Sequence, residues 1–264
     1  RPCQAQESFL MATPESESFV RTFARGLTVI EVMGKSRPAC NIAEIAEAAA
    51  LPRSVVRRLL MTLTELGFTR TDGKHYWLTP KVLRLGLSYL YTLPYWRQAQ
   101  LALEELCADI GQSCAISVLD EEDIVYVVRL HTRRILAISP SLGSRLPAHA
   151  VSMGRVLLAG LDESALAAYL ANATLKKLTR TTLVDRALLG LEIARVREQG
   201  WAWIDGELDE SICGLAVPVR DPDGRTVAAI NVSLPAGAFE QAGALAQFLL
   251  PLRRTASRIR AAYA

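Results

Sequence analysis

The chain has no long hydrophobic run. Half of its 264 residues are hydrophobic, yet charges break every stretch, as in SMGRVLLAGLDE, and none approaches the roughly 18 apolar residues of a membrane helix. A soluble globular protein is expected, with one large or two ordinary domains. CxxC pairs are also missing. The five cysteines, Cys3, Cys40, Cys107, Cys114 and Cys213, are odd in number and scattered, which fits reduced thiols in a cytoplasm rather than a disulfide framework. Cys107 and Cys114 do not have a metal-ligand spacing and read as buried structural thiols. The motifs of common enzymes are absent too: no GxGxxG, no GxSxG, no HExxH, and three histidines (His75, His131, His149) far apart in sequence. GKS at Gly34–Ser36 resembles the end of a phosphate loop, but Val29 stands where that loop needs glycine. No cofactor, metal or catalytic residue is therefore expected. The start, RPCQAQESFLMATPESES, lacks the basic and apolar regions of a secretory signal. Residues 1–17 are expected to be a disordered tail, with Met11 as the natural start.

What the sequence does have is a lopsided charge. The net formal charge is +3, but residues 18–90 carry eleven Lys/Arg against five Asp/Glu, and residues 91–264 carry eighteen against nineteen. An anionic partner is expected on the first segment. There, SFVRTFARGLTVIEVMGK puts Phe19, Phe23, Leu27, Ile30 and Val32 or Met33 on a helical stripe ending near Gly34. Asn41 followed by Glu44 has capping-box spacing before a short helix. Leu51, preceding Pro52, should stop it, and Pro52 suits the opening of a third helix running to Gly67. On that helix Val56, Leu59, Leu60, Leu63 and Leu66 share one face, and Arg53, Ser54, Arg57, Arg58 and Met61 the other. FTRTDGKHYWLT then alternates around Asp72-Gly73, a two-residue hairpin signal. Three short helices and a hairpin make a winged helix-turn-helix. Its third helix would enter a DNA major groove through Arg53, Ser54, Arg57 and Arg58, and its wing would touch the backbone or minor groove through Arg70, Lys74 and His75. A merely solvated basic face is the plain alternative, but helix lengths, turn, wing and charge agree independently.

Beyond this the helical period continues, interrupted at Pro94, and after Ile110 it changes. CAISVLD, DIVYVVRL, ILAISP, WAWID, GLAVPVRD and TVAAINVSL read as strands. AHAVSMGRVLLAG, DESALAAYLAN, DRALLGLEIARVREQGW and a closing segment from Phe239 to about Ala262 read as helices. This is an α+β order with an antiparallel sheet and packed helices. The stretch RRILAISPSLGSRLPAHAVSMG gathers Arg133, Arg134, Arg145 and His149 before a helix, an arrangement able to hold a carboxylate. Surface arginines and a structural His149 are the competing reading. Asp205, Glu207, Asp209 and Glu210 form an acidic loop that contacts a ligand or simply faces water. Asn231 and Ser233, two apart on a strand, share a face opposite Ile230 and Val232.

RGLTVIEVM, ALPRSVVRRLLMTLTELGF, RLPAHAVSMGRVLLAG, GWAWIDGELDESICGLAVPVRDPDG and VAAINVSLP, in this order and spacing, resemble the IclR (isocitrate lyase regulator) family of bacterial transcription factors, over nearly the whole chain from Phe19. The resemblance implies two domains: a winged helix-turn-helix over 18–79, a linker helix over 80–94 with exposed Leu83, Leu87 and Leu90, and an effector-binding domain over 95–264 with a curved, GAF/profilin-like antiparallel sheet. It implies promoter DNA, a small organic acid effector, and a second copy of the chain, as dimer or tetramer, as partners; RNA polymerase is a further candidate, and no membrane is expected. RRLL, SRLPAHAVSMGRVLLA and DGEL look most like the branch controlling aromatic-acid catabolism, implying protocatechuate, 4-hydroxybenzoate or β-ketoadipate. Carried over onto this chain, DNA contacts fall on Arg53, Ser54, Arg57 and Arg58. Effector contacts fall on Arg134, Arg145, His149, Met153, Gly154, Asp205, Glu207, Ile212, Cys213, Asn231 and Ser233. The chain departs from the pattern at Ala50, where glycine is usual, at Val55, where a hydroxyl is common, at Ser211 and Cys213, and at Asn231, whose amide narrows the pocket. Rival expectations from other classes are an enzyme acting on a small acid with a basic docking domain, and an architectural DNA binder without a ligand.

Overall fold

The computed structural model describes residues 18–131 and 141–261. Compact packing divides the chain between Tyr89 and Leu90. The first unit contains α1 (Arg21–Lys35), α2 (Ile42–Ala48), α3 (Arg53–Glu65) and a hairpin of β1 (Thr69–Thr71) and β2 (Tyr76–Leu78). Its core joins Val29 and Met33 of α1, Ile45 of α2, Val56, Leu59, Leu60 and Leu63 of α3, and Tyr76 of the hairpin. The capping box forms as expected: Asn41 Oδ1 accepts from the N–H groups of Ala43 and Glu44, and Glu44 Oε2 accepts from Asn41 N at 2.9 Å. Between α2 and α3, Ala50 adopts φ +50°, the left-handed conformation for which glycine is usual.

Three expectations for this unit need correction. The packing side of α1 is Val29 and Met33, with Gly26 approaching Leu59, so Phe19, Phe23 and Leu27 are exposed. Leu66 caps α3 rather than facing its core and is exposed. The hairpin turn is shifted by one residue: Asp72 N–H donates to His75 O at 3.3 Å, making Gly73 (φ +94°) and Lys74 the central pair. The Asp72 carboxylate stabilises this register by accepting the N–H groups of Lys74 and His75. Those bonds hold its pKa down at about 2.

Helix α4 (Leu83–Thr92) follows a short 3-10 turn and spans the division; Pro94 separates it from α5 (Trp96–Ile110), which ends at left-handed Gly111. Leu83 of α4 is exposed, but Leu90 is buried and Leu87 half-buried; Leu85, Tyr89 and Tyr91 supply the remaining exposed apolar surface.

In the second unit, β3 (Ser113–Asp120), β4 (Asp123–Leu130) and β5 (Arg145–Pro147) form one meander. A second comprises β6 (Ala202–Asp205), β7 (Ile212–Arg220) and β8 (Thr226–Pro235). Pairing of β3 with β8 joins them into one antiparallel sheet of order β5-β4-β3-β8-β7-β6. One face packs on α5 and on α9 (Gln241–Ala261); the other receives α6 (Ser152–Ala159), with α7 (Glu163–Asn172) and α8 (Arg186–Gln199) outside it. Strand β5 was not expected, because three residues ending in proline carry almost no strand signal. The expected strand ILAISP and Arg134 lie outside the described residues. The segment read as one helix over AHAVSMGRVLLAG is broken at Val151, which is extended (φ −131°, ψ 145°) between a 3-10 turn, Ala148–Ala150, and α6. The chain folds back so tightly there that a Cβ on Gly154 would lie 2.0 Å from the Ala148 carbonyl oxygen. No helix among the described residues is long and apolar enough to cross a membrane.

Candidate nucleic-acid interface and ligand pocket

On α3 the apolar residues Val56, Leu59, Leu60 and Leu63 are turned inward, which forces Arg53, Ser54, Arg57, Arg58 and Met61 outward. Pro52 opens the helix with an extended backbone and needs no N–H there. None of the three arginines enters an ion pair among the described residues. They are cations held on a rigid element with free donors. In the wing, Arg70 lies over the Trp77 ring at 5.3 Å, which orients its guanidinium along the β-ribbon, and Lys74 is exposed at the turn.

The effector-side residues divide by strand parity. Registers Ser113↔Ser233↔Gly214↔Ile204 and Ala115↔Asn231↔Ala216↔Ala202 place two transverse rows on the face that α6 covers. Nearly all of these side chains are small. Above them Ser152 opens α6, with its hydroxyl 3.2 Å from where a Gly214 Cβ would stand, and Met153 accepts a hydrogen bond from Ser117 Oγ at 3.2 Å. Asn231, 5 % exposed, donates through Nδ2 to Ser233 Oγ at 3.2 Å, while its Oδ1 is buried without a hydrogen-bond partner. A buried acceptor left unmade costs about 1–3 kcal/mol. An incoming donor would recover it. The result is a small-residue floor, a helix N-terminus and one unsatisfied amide, converging on one place.

Several expected contacts lie elsewhere. Asp205 pairs in register with Cys213, so both project from the opposite face; Cys213 Sγ donates to the carbonyls of Leu234 and Pro235 there. Burial pushes that thiol up to about 11. Strand alternation therefore removes these two from the group around Asn231, whereas Ile212 keeps the right parity. Arg145 is bound to Asp120 and, at 3.0 Å, to Asp123, and its charge is already matched. His149 is 1 % exposed and donates from Nε2 to Lys176 O at 3.1 Å; burial, with a smaller push from Arg155, lowers its pKa. It holds a loop. Glu207 is engaged by Arg155, whose Nη2 approaches Oε2 at 2.6 Å, and it also accepts from Leu183 N. Gly154 serves the close backbone approach to Ala148.

Ser152 lies within the stretch 146–154 on which the resemblance puts the effector pocket, but Ser113 and Arg155 went unremarked in the sequence. No local signal places Ser113 beside Ser233, because the pairing of β3 with β8 is long-range; a lone cation within SMGRVLLAG was the only signal of Arg155.

A winged helix presenting free arginines, joined to a unit whose antiparallel sheet carries a small-residue floor and an unsatisfied amide under α6, defines a ligand-responsive DNA-binding regulator. Comparison with known proteins makes this specific. Residues 22–73 match the IclR helix-turn-helix domain and residues 87–261 match the bacterial transcriptional regulator IclR C-terminal domain. The chain belongs to the IclR family of transcriptional regulators. It is 39% identical to the Pca regulon regulatory protein of Pseudomonas putida, over 91% of this chain and 82% of that one. A transcriptional regulator of Rhodococcus sp. RHA1 superposes with TM-score 0.83 at 40% identity, covering 93% of this chain and 98% of the other. A double mutant of the PobR inducer-binding domain from Acinetobacter, in complex with 3-hydroxybenzoic acid, matches at 33% identity and TM-score 0.58, over 62% of this chain and 96% of that one.

Proposed function

We propose that this protein binds promoter DNA through α3 and the wing and changes that binding when an aromatic acid or β-ketoadipate-pathway intermediate (protocatechuate, 4-hydroxybenzoate or β-ketoadipate) binds between α6 and the sheet. The observation that carries the ligand reading is Asn231, a buried amide with one unpartnered end over a floor of Ser113, Ala115, Gly214 and Ser233. The Pseudomonas and Acinetobacter relatives support the aromatic-acid class. Arg57 and Arg58 supply phosphate and guanine contacts, each good bidentate base contact worth about 1–3 kcal/mol of discrimination. The wing residues Arg70 and Lys74 hold the backbone. The protein works in the cytoplasm as a dimer or tetramer, so that paired half-sites are read together and RNA polymerase is engaged or excluded nearby. The ligand acts by favouring one arrangement over another, with a coupling of typically about 1–3 kcal/mol.

The test is a binding titration on DNA upstream of the protein's own gene, against random competitor at fixed salt, with and without each acid. Competitor-resistant binding altered by one of the acids is expected. Specific binding indifferent to all of them would remove the aromatic-acid class, and equal affinity for random DNA would remove the operator reading.

A further inference from the structure

We propose that Arg129 is the carboxylate anchor of the pocket and that Asn231 takes a ring hydroxyl, so that the site reads a hydroxyaryl carboxylate by its two ends. This rests on the aromatic-acid reading above and assigns its polarity. The registers Arg129↔Ala115 and Ala115↔Asn231 put both residues on one transverse row of the sheet, on the face covered by α6. Two strand spacings separate them, about 10 Å between backbones. Only the Ala115 methyl stands between. The Arg129 guanidinium lies over the Tyr126 ring at 4.6 Å, and Nε donates to His131 Nε2 at 3.3 Å. Those contacts, with a side-chain hydrogen bond to Tyr126, orient the group, and its remaining N–H donors face no carboxylate among the described residues and suit a planar anion. No carboxylate pairs with Arg129 among the described residues. Among the described residues the other arginines proposed for the site or packed beside it are already matched, Arg155 by Glu207 and Arg145 by Asp120 and Asp123.

Polarity follows from which partner each end lacks. Asn231 Nδ2 gives one of its two N–H groups to Ser233, and Oδ1 is an acceptor without a donor. An ionised carboxylate has no proton to give, so placing one there would oppose two acceptors; a hydroxyl supplies the missing proton. At Arg129 the reverse holds. An aromatic ring with hydroxyl and carboxylate on opposite sides satisfies both ends, whereas an aliphatic dicarboxylate fits in length but presents an anion to Asn231.

The experiment is calorimetric titration of the full chain with 4-hydroxybenzoate, benzoate and adipate, for the wild type and the R129Q, R129K and N231L variants, each checked by a thermal melt. The wild type should prefer 4-hydroxybenzoate to benzoate by about 10-fold or more, as expected when a buried polar group is left unpaired. R129Q should weaken both by about 10- to 100-fold, the range of a charged hydrogen bond, with R129K retaining much of the loss. N231L should keep benzoate binding and erase the hydroxyl preference. R129Q binding 4-hydroxybenzoate like the wild type would overturn the anchor alone, and a preference for adipate or a hydroxyl preference surviving in N231L would overturn the polarity. A wild type that binds neither aromatic acid would overturn the aromatic-acid reading and this assignment with it.

Discussion

Arg155 is the one fully buried cation that the sheet-facing helix carries, and its removal from Glu207 is the perturbation with the largest expected effect. The Arg155 side chain is 4 % exposed and that of Glu207 12 %. Besides the 2.6 Å bond between them, Arg155 Nε donates to His149 O at 3.2 Å, and Glu192 Oε1 stands 3.8 Å from Nη1. Glu207 in turn accepts from Leu183 N at 2.9 Å. Around it Thr179 and Thr181 donate to Gly206 O, and Thr182 donates to Glu207 O. Glu207→Ala strips a buried arginine of its nearest anion, a loss of about 3–5 kcal/mol for such pairs. Glu192 still offers charge at 3.8 Å, so the low end, about 3 kcal/mol, is the expectation. At this size each kcal/mol lowers Tm by about 2–4 °C, giving a drop of about 6–12 °C. Replacing both partners by apolar residues, Arg155→Met with Glu207→Leu, should restore most of the loss, because no lone charge remains. Urea melts followed by tryptophan fluorescence suit the measurement, since Trp96, Trp201 and Trp203 all lie in the second unit. A single mutant within about 0.5 kcal/mol of wild type, or a double mutant as weak as the sum of the singles, would refute the pin.

Four further outcomes follow. Ala50→Gly should raise stability by about 0.5–1 kcal/mol in urea melts, because the φ of +50° costs an L-residue roughly that much net of the extra chain entropy. Gly154→Ala should lower Tm of the second unit by several degrees, since the new Cβ meets backbone at 2.0 Å and α6 must shift. His149 has a folded pKa below its unfolded value, so its contribution is complete above about pH 6.5 and is lost as pH falls from there toward the folded value; Tm measured between pH 7 and 5 should fall less steeply in His149→Asn. Arg57→Ala should weaken operator binding with ligand affinity unchanged, and an unaltered gel-shift titration would remove Arg57 from the interface.

The first unit was legible because its signals are local. Asn41 and Glu44 cap each other within one helical turn, Pro52 fixes the start of α3, and a 3.6-residue period separates Leu59 and Leu60 from Arg57 and Arg58. The errors there arose where period and contact differ by a fraction of a turn, as at Phe23 and Leu27. In the second unit the strands were legible from β-branched runs, and the parity of Asn231 and Ser233 followed from alternation alone. Which strands adjoin them did not follow, because β3 and β8 are separated by more than a hundred residues. Hence Ser113 and Arg129 could not be seen beside Asn231, and the acidic loop looked continuous although β6 ends at Asp205 and the left-handed turn at Gly206 divides it from Glu207. Arg145 and Glu207 looked like ligand contacts because charge near a loop has the same appearance whether its partner is a small molecule or another segment of the chain.

The division of labour around α6 constrains how a ligand can act. Its first turn faces the small-residue floor, its third residue abuts the Ala148 backbone, and its fourth reaches across to Glu207 and Glu192. A ligand entering between α6 and the sheet therefore cannot displace the helix alone: the Ala148–Ala150 turn, the loop after β6 and α8 are tied to it by contacts costing several kcal/mol to break. Occupancy worth only about 1–3 kcal/mol of coupling is too weak to rupture that pin and strong enough to move the tied segments together. Hydrogen exchange should accordingly change in parallel at Ser152–Ala159, 205–211 and Arg186–Gln199 on ligand binding, while β3 and β8 stay protected; a response confined to α6 would mean that the pin yields.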